Sequence, residues 1–460
     1  MKNWNLKVKE FGKIKEADIE ISPFTLFVGD NNSGKSYLMS LIYGIMKIKL
    51  NPFEYNINKE SEAYKGIINW IQSLEMEKDF EIKVEENQFK LFINILNETL
   101  MNNKKRFIKS IFNTEIELGE IELTFKYNDR LYMKKTVRET FIEAVGENDN
   151  EVFSDKLERE KEIEILFIEK DEHGRLKGGL RIPSEVFNRY DLVIFGIIQQ
   201  IIKLNCFDCS TKGVCYLPTS RTGFLLTYKT LVEGSIKDKF NAGETEKNLL
   251  TRPCSEFLTD LSSISKDDLR ETYNHIVKFI EEYIIDGKVE IDETPISDLK
   301  YIPNGSNEQL PMFISSGVIT EMTPLLLMLK YKKDLCALMM EEPEMCLHPK
   351  LQWLISRALI QIANTDTQVI ITTHSDIILQ NINNIIKLSA NSNKEKLMNE
   401  YRYTEKDLIT SDKIKMYQLD VIDHKTTITK LECGEFGFEV PTFNKMLEDL
   451  LEQSRAFEEQ

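Results

Sequence analysis

The sequence predicts an α/β protein built on a mostly parallel sheet whose faces are both covered. Three observations predict it. Uninterrupted apolar runs recur at residues 24–28, 335–340 and 369–372, as in strands buried on both sides. The first run ends in a glycine-bracketed loop that leads into a helix with Leu38, Leu41, Ile42 and Ile45 on one face. Helical periodicity over 349–363 separates the other two runs, the strand–helix–strand alternation that connects parallel strands.

In chain order, Leu6-Lys7-Val8-Lys9 alternates, Phe11-Gly12 breaks the pattern, and Ala17-Asp18-Ile19-Glu20-Ile21 alternates again, giving two strands before the first buried one. Between 50 and 205 the character changes. Helical stretches at 60–75 and 90–112 mix with polar alternating strands, Glu122-Leu123-Thr124-Phe125-Lys126-Tyr127 and Glu162-Ile163-Glu164-Ile165-Leu166-Phe167, and read as an insertion or arm. The charge-rich segment 145–161 reads as an exposed loop or hairpin. Residues 224–285 are mostly helical, punctuated by Gly243 and Arg252-Pro253. No sustained heptads occur, so any arm is short, and no fixed-period repeat is evident. Strand patterns return at Lys288-Val289-Glu290-Ile291 and Leu299-Lys300-Tyr301-Ile302. Ser315-Ser316-Gly317 then opens a helix carrying Met322, Leu325, Leu326 and Leu329. In the last segment, 441–460, Phe443, Met446, Leu447, Leu450 and Leu451 fall at helical spacing and are expected to pack on the domain, the rival being a docking helix for a partner protein.

The chain has 460 residues, enough for two or three domains or one large domain with insertions. Lys and Arg number 59 against 75 Asp and Glu, a formal net charge of −16. That balance argues against a coat of positive charge, though not against a local basic groove. No apolar stretch is long enough to cross a bilayer, and residues 1–9 lack a signal peptide's apolar core. Seven cysteines, sparse and odd in number, fit a reducing compartment, so a cytoplasmic location is expected.

The chemistry-bearing residues cluster at strand ends. Gly29-Asp30-Asn31-Asn32-Ser33-Gly34-Lys35-Ser36 fits G-x-x-x-x-G-K-[ST], with an apolar strand before it and an amphipathic helix after it. Glycines let such a loop turn its N–H groups inward on phosphates, and the helix N-terminus adds partial positive charge. Lys35 is expected to reach the β- and γ-phosphates and Ser36 a Mg²⁺ ion. Leu338-Met339-Met340-Glu341-Glu342-Pro343-Glu344 is an apolar strand running into carboxylates, at the sheet edge where ligands of open α/β folds sit. Glu341 is expected to hold the metal and Glu342 to orient and deprotonate a water, since adjacent side chains on extended chain point opposite ways. His374, just past a buried strand in Thr372-Thr373-His374-Ser375-Asp376, is placed to contact a γ-phosphate or the water, whereas His348 is as readily an ordinary polar residue. Ser315-Ser316-Gly317 is by itself a helix cap, and with the other motifs it suggests an anion site.

Taken together, these motifs resemble the ABC-type ATPase heads of the structural-maintenance-of-chromosomes, RecF and OLD-nuclease group, and look closest to the AAA family ATPases of bacterial anti-phage defence operons. The likeness rests on residues 29–36, 315–317, 341–349 and 372–376 and, with the N-terminal strands, covers about half the chain. It implies a head with N-terminal antiparallel strands beside the parallel sheet, an α+β insertion and a short helical arm. The implied division is an N-terminal lobe at 1–50, an insertion at 51–205, a further helical and β part at 206–310, a C-terminal lobe at 311–440 and a terminal helix at 441–460. It implies binding and hydrolysis of ATP with Mg²⁺. Gly29, Asn31, Asn32, Ser33, Gly34, Lys35 and Ser36 would hold nucleotide, Ser36 and Glu341 the metal, with Glu342 the base and His374 the switch histidine. Ser315, Ser316 and Gly317 would cap the γ-phosphate of a nucleotide held by another copy, so the active form would be a head-to-head dimer or higher homo-oligomer. Two departures stand out. The usual Asp of the metal position is Glu341, as in the OLD-like branch, and the signature reads Ser-Ser-Gly-Val, unlike that of transporters.

The resemblance also implies a separate effector protein, a nuclease, whose activity the ATPase controls during infection; no nuclease metal cluster follows His374 in this chain. The alternatives are a RecF-like DNA-repair head and a nucleotide-locked scaffold with little turnover. Basic clusters at Lys104-Lys105-Arg106 with Lys109, at Lys134-Lys135, and at Lys330, Lys332 and Lys333 leave DNA open as a partner, solvated faces being the default. Arg221, in Tyr216-Leu217-Pro218-Thr219-Ser220-Arg221-Thr222-Gly223, reads equally as a phosphate contact or a surface ion pair. Cys206, Cys209, Cys215 and Cys254 lack the regular pairing of a zinc site, and buried or incidental thiols are favoured.

Overall fold

The computed structural model describes residues 3–74, 79–142, 158–170, 173–183, 189–206, 213–240, 250–265, 269, 271–291, 299–332, 335–435, 437–440 and 451–457. Its strands are β1 (Trp4–Phe11), β2 (Ile14–Ile21), β3 (Phe24–Gly29), β4 (Phe80–Lys83), β5 (Leu118–Phe125), β6 (Leu131–Ile142), β7 (Glu158–Lys170), β8 (Leu176–Pro183), β9 (Gly213–Leu217), β10 (Gly287–Ile291), β11 (Leu299–Pro303), β12 (Leu310–Pro311), β13 (Leu335–Glu341), β14 (Gln368–Thr373), β15 (Ile414–Ile422) and β16 (Lys425–Leu431). Its helices are α1 (Lys35–Met46), α2 (Glu62–Gln72), α3 (Glu86–Asn102), α4 (Lys104–Phe112), α5 (Tyr190–Cys206), α6 (Arg221–Phe240), α7 (Arg252–Ser262), α8 (Asn274–Tyr283), α9 (Gly317–Tyr331), α10 (Pro349–Ala363), α11 (Asp376–Ala390) and α12 (Lys394–Tyr401). The chain divides into two compact units.

The first unit comprises Met1–Lys47, Lys104–Glu122 and Thr211–Gln460. It holds a sheet of nine strands in the order β5-β1-β2-β16-β15-β3-β14-β13-β9. The run from β15 through β3, β14 and β13 to β9 is parallel throughout. β3, β13 and β14 are buried at every position, which is why they read as unbroken apolar runs. β1 and β2 form an antiparallel hairpin, Trp4 opposite Ile21 and Phe11 opposite Ile14, and alternate between buried and exposed because one face meets solvent. The expected α/β class, parallel strands flanked by N-terminal antiparallel ones, is what the chain adopts.

Side chains of alternate strand positions, among them Leu26, Val28, Leu338, Met340 and Ile371, share one core with Met322, Leu325 and Leu329 of α9 and Ile355 and Leu359 of α10. α1 covers the opposite face, packing on β3, β9, β13 and β14. Parallel pairing sets Met340 beside Ile371 and Thr373 beside Val28, so the C-terminal ends of β3, β13 and β14 open on one edge.

The second unit comprises Ile48–Asn103 and Leu123–Ser210. Its antiparallel sheet runs β4-β6-β7-β8, with β6 and β7 paired from Leu131 opposite Glu169 to Ile142 opposite Glu158. α2 and α5 pack against α3.

Three expectations change. The stretch 90–112 is two helices, because the chain breaks at Asn103, whose amide binds Thr99 O and Asn56 O. The strand expected from Glu122 starts at Leu118 and stops at Phe125. Of the charge-rich 145–161, expected as a loop or hairpin, residues 158–161 pair antiparallel with β6 as a hairpin would, and the rest lie outside the described residues. Leu451, expected to pack, is 59 % exposed. Gly243, Phe443, Met446, Leu447 and Leu450 lie outside the described residues.

Candidate functional site

The loop after β3 is built around backbone geometry that only glycine tolerates. Gly29 has φ +137°, and a Cβ there would run into the carbonyl oxygen of Leu419 in the neighbouring strand β15. Gly34 (φ +94°) closes the loop as the N-cap of α1, with no side chain capping the helix and no acid in its first turn. The first N–H groups of α1 are therefore free of a protein anion, as an anion site requires. Asn31 and Asn32 are exposed, Asn32 at φ +61°, and Ser33 is buried with its carbonyl held by Thr426 Oγ1 at 2.9 Å.

Lys35 is 6 % exposed and curls back over the loop, its Nζ donating to Gly29 O at 2.9 Å, Asp30 O at 2.7 Å and Ser33 Oγ at 3.3 Å. Burial pushes its amine down to about 8, against the pull of Glu342, Asp30, Glu344 and Glu341. Glu341 ends β13, Glu342 and Glu344 follow it, and Asp30 lies in the loop itself. Ser36 Oγ donates to Glu341 Oε2 at 3.0 Å, joining residues 305 positions apart. The other carboxylate oxygen of Glu341 accepts from the Tyr216 hydroxyl at the end of β9. Burial nevertheless raises the Glu341 carboxyl, with the Tyr216 and Ser36 hydrogen bonds opposing. A hydroxyl and a buried carboxylate facing each other form an all-oxygen pair of the kind Mg²⁺ prefers, and an added cation would stabilise a charge that burial disfavours. The residues present therefore fit the metal.

Glu342 turns away from the strand at φ +44°, its N–H donating to Thr372 O at 2.9 Å. Its carboxylate Oε1 stands 3.8 Å from His374 Nε2. Burial lowers the His374 imidazole, as does the Lys35 charge, while Glu342 and Asp30 pull it back up. His374 is accordingly neutral at pH 7 and able to donate or accept a hydrogen bond. Its backbone is fixed by Glu344, which accepts from His374 N at 2.6 Å and Thr373 Oγ1 at 2.9 Å. Glu344 had no assigned role in the sequence, although it stands in the Glu-Glu-Pro-Glu run; Tyr216 stood only as the first residue of the segment around Arg221, and Glu321 carried no local signal, because its partners are about a hundred positions away.

The structure thus gathers Lys35, Ser36, Glu341, Glu342 and His374 at one sheet edge. Ser315, Ser316 and Gly317 make a second cluster at the start of α9. Ser315 Oγ donates to Pro311 O at 3.3 Å, Ser316 is the N-cap without a side-chain bond, and Gly317 lies against Cys346. Ser316 and Gly317 are exposed, so the helix N-terminus faces solvent.

Arg221 differs from both expectations. It is fully buried, bonded to Pro218 O, Glu321, Glu341 O and Glu342 O, and is neither a surface ion pair nor open to a phosphate. His348 caps α10, its Nδ1 3.5 Å from Lys350 N ahead of Pro349. Lys330 is paired with Glu281 and Lys332 with Asp260, Lys104 donates to Gly119 O, and Lys135 is buried, so these lysines serve the fold, whereas Lys105, Arg106 and Lys109 are exposed. Lys333 lies outside the described residues, as does Cys209. Cys206 and Cys215 are buried, and burial pushes the Cys215 thiol up to about 12. Among the described residues no group of three or more His, Cys, Asp or Glu could hold a metal ion, and no helix is long and apolar enough to cross a membrane.

Among solved structures, the chain is similar to the SMC head domain from Thermotoga maritima, at 12 % identity and TM-score 0.33, covering 94 % of this chain and 100 % of that one. It is similar at 11 % identity and TM-score 0.37 to an Smc head bound to the C-terminal winged-helix domain of ScpA, covering 93 % and 97 %. A Pyrococcus furiosus Smc head with an extended coiled coil, bound to the C-terminal domain of ScpA, also gives 11 % and 0.37, covering 97 % and 98 %. Such figures describe a distant likeness and carry no functional statement. No curated protein matches the chain. A family match spans residues 1–180 and 224–379, well over half of the length, and contains the loop at 29–36, the start of α9, both carboxylates after β13 and His374. The chain belongs to the AAA ATPase domain family.

Proposed function

We propose that this chain binds ATP with Mg²⁺ and hydrolyses it to ADP and phosphate, and that turnover controls a separate effector protein. The observation that carries the catalytic reading is the meeting of Ser36 with Glu341 at 3.0 Å beside Lys35, with Glu342 and His374 next in line. Lys35 and the N–H groups of the loop would hold the β- and γ-phosphates, exchanging the loop carbonyls for phosphate oxygens. Ser36 and Glu341 would hold Mg²⁺, which supplies electrostatic neutralisation of the phosphate charge when bound. Glu342 would orient water and take its proton, and neutral His374, 3.8 Å away, would steady the water or a γ-phosphate oxygen by hydrogen bonding. Two copies meeting head to head would bring the exposed Ser316 and Gly317 of one to the nucleotide of the other, and hydrolysis would then depend on assembly.

An effector with nuclease activity, acting in anti-phage defence, is the partner that the sequence resemblance favours. The RecF-like alternative is weakened by the lysines already engaged within the fold, and the nucleotide-locked scaffold by the Glu342–His374 arrangement. Glu342→Gln tests the central claim. It should retain ATP binding while phosphate release falls by about 10²–10⁴-fold, the range for a lost general base. Unchanged phosphate release in that variant would remove Glu342 from the reaction.

A further inference from the structure

Arg221 is a fully buried cation with more partners than charge balance needs. Its Nε donates to Glu321 O at 3.3 Å and lies 3.1 Å from Glu321 Oε2, an ion pair buried on both sides. The rest of the guanidinium is spent on backbone. One terminal nitrogen donates to Pro218 O at 3.1 Å and Glu341 O at 2.6 Å, and the other donates to Glu342 O at 3.0 Å. One planar group therefore spans two consecutive carbonyls where β13 ends, a geometry that a point charge cannot reproduce.

The backbone at that junction is left-handed. Glu342 is a non-glycine residue at φ +44°, a strained conformation that persists only where surroundings over-determine it. Its N–H is held by Thr372 O and its carbonyl by Arg221. The direction in which its side chain leaves the strand thus depends on Arg221. The far side of Arg221 is attached to the start of α9, at Thr320 in its first turn and Glu321 just after it. Glu321 Oε1 accepts from Thr222 N at 2.9 Å, and Thr222 Oγ1 meets Thr320 Oγ1 at 2.8 Å. This is the helix whose N-terminus is Ser315-Ser316-Gly317.

We propose that Arg221 is a positioning residue that couples the start of α9 to the backbone of Glu342, so that engagement of the Ser315–Gly317 end sets whether the carboxylate is aimed for hydrolysis. The inference rests on the reading of Glu342 as the base. A shift of α9 moves Glu321; Arg221 follows, because leaving either charge buried and alone is costly; and the carbonyls of Glu341 and Glu342 move with it.

The test is Arg221→Lys in the full chain, which keeps the charge and loses the fork. The expected result is kcat per folded molecule lowered by about 100-fold, the scale of a misplaced reacting group, with ATP Kd and KM little changed and a thermal midpoint lowered by the unpaired carbonyls but still well above the assay temperature. Placed on Glu342→Gln, Arg221→Lys should lower kcat no further, because both act through one carboxylate. A normal kcat in a folded Arg221→Lys protein overturns the proposal. So does a loss of kcat that merely parallels loss of folded protein, or an independent, multiplicative loss in the double variant. If Glu342→Gln itself hydrolyses ATP normally, it is the base assignment that fails, an outcome distinct from the others. Should Arg221→Lys not fold, Glu321→Gln decides by the same readouts: a fall in kcat with unchanged Kd supports the coupling, and an unchanged kcat overturns it.

Discussion

Raising the pH through 8 should weaken ATP binding and make it take up protons, by an amount set by Lys35. In the free protein the amine is buried and titrates near 8, against about 10.4 for an ordinary lysine. A triphosphate laid against it favours the charged form, so the bound amine titrates at or above the ordinary value. The sign follows directly. Above pH 8 the free protein has lost a proton that the complex retains, so binding recruits one from solution and rising pH opposes it. Uptake should be about 0.1 proton per nucleotide at pH 7, about 0.5 at pH 8 and about 0.9 at pH 9, and affinity should fall about tenfold between pH 7 and 9. The full linkage is worth about 3 kcal/mol. Calorimetry in two buffers of different ionisation enthalpy measures the uptake directly, and working at pH 8 or above avoids the terminal phosphate, which titrates near 6. Lys35→Arg supplies the control, since a guanidinium does not titrate in this range and uptake should vanish. Zero uptake at pH 9 in the unaltered protein, or the same uptake in Lys35→Arg, would refute the reasoning.

Two further outcomes are expected. Gly29→Ala forces a side chain into the Leu419 carbonyl at φ +137°, so denaturant unfolding should show a loss of about 2–4 kcal/mol, and equilibrium dialysis should show loss of ATP binding. Arg357→Ala removes the partner of buried Asp407, bonded at 2.9 Å and 3.2 Å, and should cost about 3–5 kcal/mol in urea unfolding at pH 7. Burial pushes the Asp407 carboxyl up, but hydrogen bonds from Arg357 and Gln361 and the Arg357 charge outweigh it and hold it below the usual range. Its stabilisation is therefore present above the ordinary carboxylate range and disappears as pH falls through the lowered value, so the gap between the two proteins should narrow in acid.

Much of the site was readable because its parts are local. The loop at 29–36 is one contiguous motif with strict backbone demands, and Gly29 and Gly34 answer them at φ +137° and +94°. β3, β13 and β14 announced themselves as apolar runs because both faces are buried. Glu341, Glu342 and His374 followed from the rule that ligands gather at strand ends in open α/β sheets. Arg221 was misread for a physical reason. An arginine beside a strand end is ordinarily solvated, and nothing nearby in the chain reveals that Glu321, a hundred positions on, will be buried against it. The same holds for Lys330 and Lys332, whose apparent basic cluster dissolves into separate pairs with Glu281 and Asp260.

By itself the sequence determined the α/β class, the glycine-bracketed loop and the identity of the acids and histidine at the ends of the buried strands, since each depends on periodicity or on a backbone conformation that few residues adopt. Only the tertiary structure decided which of them meet: that Ser36 faces Glu341, that Glu344 grips the backbone of His374, and that a buried arginine ties α9 to Glu342. Those contacts join residues from about thirty to about three hundred positions apart, and burial, not composition, sets what each charge there can do.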